Sequence, residues 1–178
     1  PTRAGVLAPA ATGTAPVPRR AGGATGAQTL TNYGGEYGAG IPGHGGWALL
    51  DGFLQEESAV DVLQVFHEQS AVHLADGYYR ASGKPMLAVT SVGAGAANTL
   101  MALATAFADS ASLLAITGAP PLHMQGHGTM PELERHRDND FSRAVEPPTK
   151  RSWTGNTGAG RPFVLHLALA LPICQVNR

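Results

Sequence analysis

Three apolar runs, Val60–Phe66, Met86–Thr90 and Leu113–Thr117, are separated by segments whose apolar residues repeat at helical spacing. That alternation constrains the fold more than any other feature of the chain. Met86–Thr90 is continuous rather than alternating, the pattern of a strand covered on both faces, and Leu113–Thr117 repeats it. Within Glu68–Ala81, residues Ala71, Leu74, Ala75 and Tyr78 fall at i, i+3, i+4 and i+7, one helical stripe. Ser82-Gly83-Lys84-Pro85 then stops the helix with a glycine followed by a proline. Leu100, Leu103, Ala104 and Phe107 give a further helix, led into by Ser91-Val92-Gly93-Ala94-Gly95. Strands alternating with helices imply a parallel sheet with right-handed crossovers. The expected fold class is α/β, a three-layer parallel sheet with helices on both faces.

At 178 residues there is room for one sizeable core. The first strand is expected within Leu30–Ile41, weakened by Gly34, Gly35, Gly38 and Gly40, because glycine in a strand loses entropy and packs nothing. Gly43-His44-Gly45-Gly46 should turn into a helix over about Trp47–Glu57, with Trp47, Leu50 and Leu54 on one face. Glycine and proline, at 23 and 13 residues, make up about a fifth of the chain, against ~12% in average usage. Much of that excess lies at the start, so residues 1–28 are read as a disordered Ala/Gly/Pro-rich segment and residues 29–178 as one domain. Leu122–Pro148 is expected to be a long polar loop with one short helix, and Pro162–Pro172 a last strand.

A net charge of −1 with 14% charged residues leaves no basic footprint for nucleic acid. No apolar run reaches the roughly 18–20 residues that span a bilayer, so no membrane partner is expected. The single cysteine, Cys174, excludes an internal disulfide framework and points to a reducing, cytoplasmic setting.

Two stretches carry candidate chemistry. Glu68 lies where a strand meets a helix, a position that the helix dipole favours for a carboxylate by ~0.3–1 kcal/mol. It serves either as a helix-start residue or as a proton-sharing group. Gly93-Ala94-Gly95-Ala96-Ala97-Asn98 follows a strand and opens a helix, which invites a dinucleotide-binding reading. Against that, the third glycine position holds Asn98, and no acidic residue ends the next strand at Thr117-Gly118. His123, His127 and His136 lack a legible carboxylate partner, and no metal site is expected from them.

His67-Glu68-Gln69, Ala75-Asp76-Gly77-Tyr78 and Gly83-Lys84-Pro85 together resemble the pyrimidine-binding domain of thiamine-diphosphate enzymes of the acetolactate synthase group. The resemblance covers about Leu30–Pro172 and is strongest over Phe66–Gly118. It implies that Glu68 is catalytic, hydrogen-bonding N1′ of the cofactor's aminopyrimidine, a task that needs a desolvated carboxyl able to share a proton. It also implies that Pro42 and Gly43, in a Gly-x-Pro-Gly loop, and Gly93, Gly95 and Asn98 bind the cofactor. Ala94 and Ala97 replace a proline and a threonine of the family turn. His44 and His127 become substrate-side candidates, with Pro131 standing where synthases carry a glutamine.

The implied cofactor is thiamine diphosphate, with Mg2+ held by a diphosphate domain absent from this chain, since no Gly-Asp-Gly signature occurs. The implied reaction is decarboxylation of a small 2-oxo acid followed by carboligation or aldehyde release. The implied partner is a diphosphate-binding domain, in a longer chain or a separate subunit, within a homo-oligomer, and the chain alone is expected to be inactive. A stand-alone subunit of a split decarboxylase and an inactive degenerate remnant are the alternatives. The remnant reading draws on the family helix missing between Trp153 and Arg161.

Overall fold

A computed structural model describes residues 22–54, 59–119 and 141–153. The elements in order are α1 (Gly22–Asn32), β1 (Tyr37–Gly40), α2 (Trp47–Phe53), β2 (Asp61–Gln64), α3 (Glu68–Ser82), β3 (Met86–Thr90), α4 (Ala94–Ala97), α5 (Leu100–Ala108), β4 (Leu113–Thr117) and α6 (Phe141–Val145). The strands form one parallel sheet in the order β2-β1-β3-β4. Ala39 of β1 stands opposite Leu63 on one side and Ala88 on the other. β3 and β4 pair from Met86 with Leu113 to Thr90 with Thr117.

Successive strand side chains point to opposite faces of a sheet, and β3 divides its residues accordingly. Met86 and Ala88 enter a core with Ala71, Val72 and Ala75 of α3, Ala102 and Leu103 of α5, and Phe141 and Val145 of α6. Leu87 and Val89 enter a second core with Ala27 and Leu30 of α1, Phe53 of α2, and Val60. Every residue of β3 is buried, and burying a side chain such as Val72 or Val89 stabilises by about 1.5–3 kcal/mol. The result is the expected three-layer α/β architecture, with helices on both faces.

Several local expectations are corrected. Gly22–Gln28, inside the segment read as disordered, belong to α1, because Ala27 and Leu30 bury against the sheet face that α2 also covers. β1 occupies only the end of Leu30–Ile41, since α1 runs to Asn32. Of the face expected on α2, Leu50 packs against the core beside Leu49 and Phe53, whereas Trp47 and the C-cap Leu54 are 65% and 83% exposed. On α3 Ala71 and Ala75 are buried as expected and Tyr78 packs against the same core, but Val72 and Asp76 join the stripe and Leu74 is exposed. The single helix expected after Gly95 is two, α4 and α5, broken at Asn98 and Thr99, and α5 buries Ala102, Leu103 and Ala106 rather than Ala104 and Phe107. The short helix expected within Leu122–Pro148 corresponds to α6. Residues 1–21, the remainder of that loop through residue 140, and the last strand at Pro162–Pro172 lie outside the described residues.

Asp76 is buried because Arg80, one turn on, bonds both its oxygens at 2.9 and 3.0 Å. Arg80 also bonds Asp109 Oδ2 at 2.6 Å, which ties α3 to the C-cap of α5. Both aspartates raise the Arg80 guanidinium pKa further, Asp76 the more.

At the opposite edge of the sheet from the strand ends, Glu36 accepts a short hydrogen bond from Lys84 and another from the Tyr78 hydroxyl at 2.9 Å. Tyr78 also packs edge-on against Tyr37, with ring centroids 5.4 Å apart. The Lys84 ammonium first, then the Tyr78 hydroxyl, hold the Glu36 carboxyl below the usual carboxylate range. A group depressed in the folded state contributes stability above its ordinary value of 4.5, lost as pH falls through the folded value. Glu36→Gln should therefore lower the melting temperature slightly at neutral pH, the pair being solvent-exposed. The two melting curves should converge on acidification. A gap that persists undiminished in acid would show that packing, not charge, holds this corner.

Candidate functional site

Parallel strands place all their carboxyl ends on one edge, and every loop that carries a candidate residue leaves from that edge. The chain passes from β1 outward to β2, then crosses back to β3 and β4, so α2 and α3 cover opposite faces. In such a sheet a crevice opens where the strand order reverses, here between the ends of β1 and β3.

Glu68 is the first residue of α3, and its carboxylate therefore sits at the positive end of the helix dipole. His67 caps the helix in extended backbone (φ −150°, ψ 136°), its Nδ1 accepting from the Gln69 backbone N–H at 3.2 Å. The strand before it is anchored by the Val65 N–H, which donates to the Gly40 carbonyl at 3.0 Å. The Glu68 side chain is half-buried. Its Oε2 accepts from Asn98 Nδ2 at 3.0 Å. Its Oε1, to which no described residue donates, faces Gly95. A Cβ added at Gly95 would lie 2.9 Å from Oε1 and 3.3 Å from Ser91 Cβ, so a side chain at that position would fill the space in front of the carboxylate.

The loop after β1 lies across the end of β3. Gly43 packs against Ser91, and the Ser91 hydroxyl donates to the His44 carbonyl at 3.5 Å. The same carbonyl lies against Gly118 at the end of β4, where an added Cβ would approach it to 2.4 Å. Pro42 and the His44 side chain are exposed in this loop. Gly93 turns the chain from β3 into α4 at φ 58°, and its carbonyl accepts the Ala97 N–H at 2.9 Å. The structure thus brings Glu68, Gly95 and Asn98 together and sets Gly43 and the His44 backbone beside Ser91. His127, with His123 and His136, lies outside the described residues.

Ser91 belongs to none of the motifs legible in the sequence. The available signal was positional: it is the first polar residue after a buried parallel strand, where that strand meets the switch point. The dinucleotide reading of Gly93–Asn98 finds no support in this geometry. α4 has only four residues, and a carboxylate oxygen occupies the place over Gly95 where a diphosphate would have to approach.

Chemically, the arrangement offers a half-buried carboxylate with one oxygen held by Asn98 and the other without a donor among the described residues. Such a group can share a proton with a ligand atom above Gly95. Among the described residues there is no group of three or more His, Cys, Asp or Glu that could hold a metal ion, and no helix long and apolar enough to cross a membrane.

Residues 20–139 match the family described as thiamine pyrophosphate enzyme, N-terminal TPP binding domain. The chain is similar to a probable acetolactate synthase large subunit of Methanocaldococcus jannaschii, 33% identical over 140 residues, which cover 72% of this chain and 24% of the relative. A probable acetolactate synthase large subunit of Methanococcus aeolicus is 38% identical over 146 residues, covering 76% of this chain and 24% of that one. The chloroplastic acetolactate synthase of Arabidopsis thaliana is 42% identical over 73 residues, 41% of this chain and 11% of the relative. The chain spans about a quarter of the length of the two archaeal relatives.

Proposed function

The chain belongs to the thiamine pyrophosphate enzymes through their N-terminal TPP binding domain, and from that premise we propose that it binds the aminopyrimidine of thiamine diphosphate for the decarboxylation and carboligation of 2-oxo acids. The observation that carries this reading is the Glu68 carboxylate at the carboxyl edge of the sheet, with Oε2 held by Asn98 and Oε1, which takes no donor from the described residues, against Gly95. Gly95 supports that reading, because a Cβ there would lie 2.9 Å from Oε1 and crowd the carboxylate out of this position.

Thiamine diphosphate, when bound, supplies the electron sink for breaking the bond beside the 2-oxo group. The residues of this chain do the rest of the work on the pyrimidine side. Glu68 shares a proton with the ring nitrogen from its place at the start of α3. Gly93 and Gly95 keep the turn after β3 narrow, and Pro42 and Gly43 form the rim on the side of β1. His44 faces solvent from that rim and is a candidate for meeting the substrate, as is His127 further along the sequence.

Mg2+ and the diphosphate are assigned to a further domain, in a longer chain or a separate subunit, within a homo-oligomer. Support comes from the relatives' fourfold greater length and from the lack of a Gly-Asp-Gly signature in this chain. The proposed setting is cytoplasmic, and a single cysteine in 178 residues is compatible with a reducing compartment.

An exchange of segments tests the proposal. Residues 20–139, placed in an acetolactate synthase large subunit in lieu of its matching segment, should give an enzyme that consumes a 2-oxo acid in the presence of thiamine diphosphate and magnesium. A chimera that folds and binds the cofactor yet turns over no 2-oxo acid would sink the reading.

A further inference from the structure

Among the described residues, Asn98 is the hydrogen-bond partner of the Glu68 carboxylate, across 30 positions of sequence. A carboxylate only accepts, so the amide must present its N–H₂ group. Gly95 and Asn98 stand three residues apart on α4 and its cap, a spacing that sets them on one face of the turn. That one face attends to both oxygens of Glu68: Asn98 bonds Oε2, and Gly95 leaves clearance for Oε1.

The turn is fixed from below. The Asn98 N–H bonds the Ala94 carbonyl at 3.1 Å. The fully buried Thr99 donates its hydroxyl to the Ala96 carbonyl at 2.6 Å. The Leu103 N–H bonds the Thr99 carbonyl at 2.9 Å and couples the turn to α5, whose Ala102 and Leu103 lie in the core. Asn98 itself is exposed, so its side chain fills no core space.

We infer that Gly95-Ala96-Ala97-Asn98 is a carboxylate clamp, in which Asn98 is a positioning residue for Glu68 rather than a ligand of the cofactor. The inference rests on the reading of Glu68 as the proton-sharing group. Its physical logic is that a neutral amide fixes the orientation of a carboxylate without adding charge. A lysine or arginine in its place would favour the charged form and oppose proton uptake. With Oε2 held, Oε1 is the atom that exchanges a proton.

Two measurements test the clamp. In amide-detected NMR of the full chain, the side-chain amide signals of Asn98 should move on Glu68→Gln, while those of Asn32, far from the site, stay in place. In the chain completed with the diphosphate-binding domain of an acetolactate synthase, Asn98→Ala should slow C2 proton exchange of bound thiamine diphosphate. The expected loss is about tenfold to a hundredfold, the range for one hydrogen bond to a charged group. The cofactor's dissociation constant should stay unchanged, and Asn98→Ala should add nothing in the Glu68→Gln background. Asn98→Asp, which sets a second carboxylate against the first, should also move the pH profile of exchange. An affinity loss from Asn98→Ala that survives in the Glu68→Gln background would make Asn98 a cofactor ligand and overturn the clamp, as would an unmoved amide signal. Exchange sensitive to Glu68→Gln but indifferent to Asn98→Ala would remove the clamp alone. Exchange indifferent to Glu68→Gln would remove the reading beneath it.

Discussion

Glu68→Gln, in the chain completed with a diphosphate-binding domain, should slow exchange of the C2 proton of bound thiamine diphosphate by about 10²–10⁴-fold, the range that positioned acid–base groups contribute. The substitution keeps the length of the side chain and can keep the hydrogen bond at the Asn98 position by turning its own carbonyl toward Nδ2. What it loses is the capacity to take up and return a proton at the atom above Gly95. Cofactor affinity should fall far less than exchange, because a glutamine amide still offers one hydrogen bond to a ring nitrogen. Stability should change little, since Glu68 is half-buried and its gain at the helix N-terminus is only ~0.3–1 kcal/mol. Exchange measured by proton NMR in heavy water decides the matter. A wild-type rate in a folded, cofactor-bound variant would take Glu68 out of the chemistry.

Gly40→Ala should destabilise the chain by about 2–3 kcal/mol, the cost of overpacking a filled interior. β1 is hydrogen-bonded on both sides, with Gly40 opposite Gln64 of β2 and Val89 of β3. A Cβ at Gly40 would lie 2.1 Å from the Val89 carbonyl oxygen and 3.2 Å from Val89 Cβ, far inside van der Waals contact. β3 has no room to retreat, because Leu87 and Val89 fill one core and Met86 and Ala88 the other. The ~0.4–1 kcal/mol that Gly→Ala can gain by restricting the unfolded chain does not offset this. Urea unfolding should show a lower midpoint with an unchanged slope. An equally stable variant would mean that β1 bends away from β3 at little cost, and that the loop it feeds, Ile41–Gly46, is looser than the Ser91–His44 contact suggests.

Gly40 also shows why glycine content misleads when read along the chain alone. In sequence, glycines at positions 38 and 40 count against a strand, because they pack nothing. In the folded chain β1 is the strand nearest the switch point, and at Gly40 its backbone approaches β3 closer than any side chain would allow.

The sequence by itself determined the layered α/β architecture, the positions of β3, β4 and α3, the stop at Gly83, and the place of Glu68 at a strand–helix junction. These are local matters: a continuous apolar run needs cover on both faces, and a cap or a left-handed glycine acts within a few residues. Tertiary structure decided how far each inward face extends and which of the expected residues it leaves outside. On α3 the apolar residues suited a stripe through Leu74, yet the helix turned Val72 and Asp76 inward, because Arg80, itself held by Asp109, could satisfy the buried carboxylate. On α2 Leu50 kept its inward place beside Phe53, while Trp47 and the capping Leu54 stayed exposed. The helical state of Gly22–Gln28 came from Ala27 and Leu30 finding the far side of β3. The meeting of Glu68 with Asn98 and Gly95 belongs to the same class. Spacing along a chain orders neighbours within one element, whereas a contact across 30 residues exists only once a parallel sheet has brought two strand ends to the same edge.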